Sequence, residues 1–72
     1  MRLKAIREDS DISQKTLSEY LNIKQNTYSQ YENEQRQLPI DILIRLADYF
    51  DTSTDYILEL TDVTEKYPRS KK

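Results

Sequence analysis

Between Gln25 and Asn33 five uncharged polar side chains recur at a spacing that places them together on a helix. Stepping about 100° per residue, Gln25, Ser29, Asn33, Asn26 and Gln30 fall within an arc of roughly 140°, with Tyr28 and Tyr31 opposite. A carboxamide carries a donor and an acceptor in one plane. Such groups can make paired hydrogen bonds to the edge of adenine in a DNA major groove. For this stripe alone a solvated helix face is the simpler account, because polar helix faces are common.

The rest of the chain bounds what else is possible. It has 72 residues, enough for one small domain with a barely sufficient core, and contains no cysteine, no histidine and no glycine. Thiolate metal sites, disulfides and glycine-rich phosphate loops are therefore excluded, and no residue set suggests an enzyme. The acidic residues Asp48, Asp51, Asp55, Glu59 and Asp62 fit no EF-hand spacing and read as a solvated face. Neither a cofactor nor a metal or small-molecule ligand is evident. No run of apolar residues is long enough to span a membrane, and the charged start MRLKAIREDS is unlike a signal peptide. These features predict a cytoplasmic protein.

A net charge of −2 is unusual for a polyanion binder, but its distribution matters more. Residues 1–36 carry six basic and six acidic groups, residues 37–66 two and seven, and residues 67–72 three basic groups. The acidity lies after the polar stripe, where it can face away from a phosphate backbone. This balance predicts weak non-specific binding, with affinity resting on base contacts and dimerisation.

Apolar periodicity predicts an all-α chain with short connections. Helix one covers about Arg2 to Asp9, with Leu3 and Ile6 inward. Helix two follows the N-cap Ser13, turns Leu17 and Leu21 inward with Tyr20 alongside, and ends at Asn22, which tolerates the left-handed conformation. Ser18 is small enough for close helix approach. Helix three runs from Gln25 to about Asn33. Helix four has Pro39 in its first turn and reaches Phe50, with Ile40, Leu43, Leu46, Ala47 and Phe50 inward and Ile42 and Ile44 partly exposed. Ser53 caps a last helix from Thr54 to about Leu60, whose Tyr56, Ile57 and Leu60 close the core. Residues 1–61 form the domain, and residues 62–72 read as a basic, disordered tail. Packing is the default role for all six tyrosines.

Ser13, Gln14, Leu17, Leu21, Ile23 and the run Tyr31-Glu32-Asn33, in register over about residues 2–60, resemble the Cro/repressor-type (XRE-like) helix-turn-helix family. The resemblance implies a compact five-helix bundle of the phage-repressor DNA-binding type, with helices two and three forming the motif. It implies a transcriptional regulator, of repressor type, that binds a palindromic double-stranded DNA operator as a homodimer. The second helix of the motif would enter the major groove. Carried over by position, Gln25, Asn26, Ser29 and Gln30 would contact bases, while Gln14, Lys24, Asn33 and Arg36 would contact phosphates. A partly buried ion pair would join Arg7 to Glu32.

Four positions depart from the family pattern: Asp11, Asn22 and Glu34 stand where glycine is usual, and Lys24 replaces a Ser or Thr cap. Glu34 would be strained in a left-handed turn unless helix three ran past Asn33. The surplus apolar residues Leu58, Leu60 and Val63 are the expected dimer contact. An alternative use of the same fold is a protein-interaction module, such as an antitoxin or anti-repressor partner, motivated by the acidic surface of helices four and five.

Overall fold

The computed structural model describes residues 1–65. Its five helices are α1 (Leu3–Asp9), α2 (Gln14–Leu21), α3 (Gln25–Glu32), α4 (Ile40–Tyr49) and α5 (Thr54–Ile57). No strand occurs among the described residues. Local chemistry starts two of the helices in the same way. The Ser13 hydroxyl accepts from the Thr16 N–H at 3.0 Å, and the Ser53 hydroxyl from the Tyr56 N–H at 3.0 Å, each satisfying an otherwise orphaned donor. Pro39 precedes the first helical residue of α4 with φ −63°.

All five helices stop by one device. The residues Asp11, Asn22, Glu34, Asp51 and Glu59 have φ between 52° and 65°. In each case their N–H and the next one return to carbonyls of the last turn, as from Asn22 to Glu19 (3.1 Å) and from Ile23 to Ser18 (3.0 Å). This is the Schellman arrangement, normally built on glycine. Among the described residues, a chain without glycine forms it five times. Two of the residues that follow, Ile12 and Ile23, are half-buried against the core, which is the apolar contact such turns favour.

Leu3, Leu17, Leu21, Tyr28, Tyr31, Ile42, Leu43, Leu46, Ala47 and Ile57 form the core. Here α4 departs from the sequence reading: Ile42 is buried and Ile40 is exposed. Ile42, Leu43, Leu46, Ala47 and Phe50 lie within about 140° of one another, whereas Ile40 stands outside that stripe. It is also in the first turn, with no preceding turn to shelter it. Helix α5 is shorter than expected, since its Schellman turn begins at Leu58. Leu60 therefore points away from the core and is 72 % exposed. Ser18 is buried.

Arg2 fastens the beginning of the chain to its later part. Its backbone N–H donates to Ile57 O at 2.8 Å, and its Nη1 donates to Tyr56 O and Thr61 O at 3.1 and 3.0 Å. Its Nη2 reaches Asp62 Oδ1 at 3.1 Å, and the guanidinium lies 4.2 Å from the centre of the Tyr56 ring. Thr52 Oγ1 donates to Thr64 O at 2.5 Å. Asp62 and Thr64, read from sequence as the start of a loose tail, are thus tied to the body; residues 66–72 of that tail lie outside the described residues. The α-ammonium of Met1 sits between Glu59 (3.1 Å) and Glu34 (3.5 Å).

Candidate nucleic-acid interface

Helix α3 is held from behind by a polar knot. Arg7 Nε donates to Glu32 Oε2 at 2.6 Å and Nη2 to Glu32 Oε1 at 3.3 Å, while Nη1 donates to Ile12 O at 2.8 Å. The Glu32 side chain is fully buried. Gln14 Nε2 adds a hydrogen bond to Glu32 Oε1 at 3.1 Å. The knot thereby joins α1, the start of α2 and the end of α3.

Burial works to raise the Glu32 carboxyl, but its hydrogen-bonding neighbours, Arg7 first, hold it below its ordinary value. The Tyr28 hydroxyl is buried beside this carboxylate without a hydrogen bond of acceptable geometry. We therefore attribute the depression mainly to Arg7 and Gln14. Burial also pushes the Tyr28 hydroxyl far above the usual phenol value, with the Glu32 charge adding to it.

A second brace closes the turn between α2 and α3. The last four carbonyls of a helix have no partner within it. In α2, those of Ser18 and Glu19 accept from Ile23 and Asn22. Those of Tyr20 and Leu21 accept from Arg45 Nη2 at 2.8 Å and Nη1 at 3.3 Å. Arg45 also lies 5.2 Å from the centre of the Tyr20 ring, and that ring packs at 4.8 Å on Tyr49. All four carbonyls are satisfied, so the turn is fixed on both sides. Sequence reasoning missed Arg45, because its partners lie in a distant helix and no local pattern marks it.

With its tyrosines inward, α3 turns its amides out. Gln25, Asn26, Asn33, Lys24 and Arg36 are exposed, and Ser29 and Gln30 are half-buried. Several of these side chains are already paired. Arg36 Nε donates to Gln30 Oε1 at 3.1 Å, and Asn33 Nδ2 to Ser29 Oγ at 3.4 Å. Lys24 makes no side-chain cap, so the cap residue leaves the N–H groups of the first turn of α3 without a side-chain acceptor. Glu34 adopts φ 58° and α3 ends at Glu32, so the strained of the two expected arrangements is the one present. Its carboxylate swings toward the Met1 ammonium at 3.5 Å. Tyr31 is buried.

A rigid turn, an inward aromatic face and an outward amide face on the following helix are what a major-groove reader requires. A helix-turn-helix family model matches residues 3–57. This chain belongs to the Cro/repressor-type helix-turn-helix family. It is similar to the HTH-type transcriptional regulator ImmR of Bacillus subtilis strain 168, with 38 % identity over 65 residues, covering 90 % of this chain and 51 % of ImmR. It is also similar to the uncharacterised HTH-type transcriptional regulator YobD of the same organism, with 39 % identity over 61 residues, 85 % of this chain and 54 % of YobD. A more distant relative is the regulator PrpR of Mycobacterium tuberculosis, 30 % identical over 61 residues that make up 85 % of this chain and 13 % of PrpR. The chain spans about half the length of the first two relatives. No solved structure matches it. Among the described residues no helix is long and apolar enough to cross a membrane.

Proposed function

We propose that this chain is a sequence-specific double-stranded DNA-binding module of a transcriptional regulator, of repressor type, acting in the cytoplasm without a catalytic step. The observation that carries this reading is the outward amide face of α3 on a turn braced by Arg45 and by the Arg7–Glu32 knot. In this reading α3 enters the major groove, with Gln25, Asn26, Ser29 and Gln30 at base edges. Lys24, Asn33 and Arg36 lie near phosphates, as does the second N–H of the Gln14 amide, whose first is held by Glu32.

The functional unit is a homodimer on a palindromic operator, with half-sites roughly 10 base pairs apart. Leu58, Leu60 and Val63, each exposed at or just after the end of α5, support that assembly.

Selection of bound duplexes from a random pool tests the reading directly. A two-fold symmetric motif is expected. Gln25→Ala should cost about 1–3 kcal/mol on that motif and relax preference at one position of each half-site. Recovery of no enriched sequence at low salt would overturn the assignment.

A further inference from the structure

Resting on that reading, the hydrogen bond between Arg36 and Gln30 has a consequence for which base is read. A guanidinium has donors and no acceptor. Because Arg36 Nε lies 3.1 Å from one end of the Gln30 amide, that end must be the oxygen, and the Nε2 end with its two N–H groups points elsewhere. Reading adenine with a glutamine requires the amide oxygen to accept from the N6 amino group while the nitrogen donates to N7. At Gln30 one of the oxygen's two lone pairs is taken by Arg36, and the guanidinium charge beside the other disfavours the approach of the amino hydrogens.

We infer that Gln30 and Arg36 act as a single recognition unit, with Arg36 as a specificity-determining residue that orients Gln30 to select guanine over adenine. Against the oxygen's one remaining lone pair, the pair offers the two N–H groups of the Gln30 amide and the Nη groups of Arg36, so donors predominate. Guanine presents two acceptors, N7 and O6, and no donor on its major-groove edge. Gln25 supplies an internal contrast: its side chain makes no hydrogen bond to another described residue, so both ends of its amide remain available for adenine. Two glutamines on one helix thus carry different preferences, set by the residue that follows α3 by four positions.

The test is selection from a random duplex pool with the unsubstituted protein, Arg36→Ala, Gln30→Ala and the double variant. Thermal melts confirm that each folds, as expected for a change at exposed Arg36. The expected result is a guanine preference of roughly tenfold or more at one position per half-site. It should collapse or turn toward adenine in Arg36→Ala, leave the other positions unchanged, and show no further effect of Arg36→Ala once Gln30 is removed.

An enriched motif together with a uniform loss of affinity for all duplexes in Arg36→Ala, equal in the Gln30→Ala background, would overturn the inference. Arg36 would then be an ordinary phosphate contact, and the proposed function would stand. A failure of the unsubstituted protein to enrich any sequence would instead remove both.

Discussion

At the scale of single residues, Glu32 carries the largest stake. Removing one member of a buried ion pair leaves the other without compensation, at a cost of about 3–5 kcal/mol. A domain of this size has only about 4–11 kcal/mol in total. Glu32→Ala is therefore expected to leave a protein that is largely unfolded or melts far lower, which circular dichroism would show. A loss below about 1 kcal/mol would reduce the pair to a surface contact. The acid response follows from the same group. Its folded pKa lies below the ordinary value of 4.5, so its contribution is complete above that value and is lost as the pH falls through the depressed one. Glu32→Gln should flatten that acid limb in melts compared near pH 7 and about pH 3.

Glu34 argues in the opposite direction. Its left-handed backbone costs roughly 1 kcal/mol, while its exposed contact with the Met1 ammonium is worth less. Glu34→Gly should raise the melting temperature by a few degrees, less than the roughly 4–8 °C that a full 1 kcal/mol would give, and an unchanged or lower value would show that the turn carries no strain.

At the scale of elements, what could be read in advance depended on whether the deciding interaction was local. The Ser13 cap, the left-handed Asn22 and the inward tyrosines of α3 all follow from spacing within one helix and its ends. The phase of α4 did not, because Ile40 and Ile42 are equally apolar and only the neighbouring helices choose between them. The shortness of α5 was hidden for a related reason: Glu59 gives no hint that it will take a conformation usually reserved for glycine. In the candidate interface, the outward direction of the amides is set by periodicity. The Arg36–Gln30 and Arg45 contacts depend on the path of the chain between helices and left no mark in the pattern.

One element-level trade follows. Lys24 occupies the cap of α3 without capping it. Lys24→Thr should add about 1 kcal/mol of stability, yet weaken binding to all DNA sequences alike and reduce the salt dependence by about one ion. Melts and titrations at several salt concentrations check both halves. A variant that is stabilised and binds unchanged would remove Lys24 from the phosphate path.

At the scale of the whole molecule, the chain leaves apolar surface near α5 that its own core does not use. Leu60 and Val63 are 72 % and 60 % exposed. Sedimentation at micromolar concentration should find a dimer, and Leu60→Asp should give a monomer of unchanged helicity with weaker operator binding. A monomer at all concentrations, with or without DNA, would place the contact elsewhere.

The arginine that fastens residue 2 to residues 56–62 has its own bearing on engineering. Because two distant stretches of backbone already lie side by side there, a short peptide splice between them would convert the domain into a ring of about 60 residues. Such a cyclised form would lose roughly 4 kcal/mol of freedom in its unfolded ensemble alone, gaining heat resistance with no side chain of the groove-facing helix disturbed.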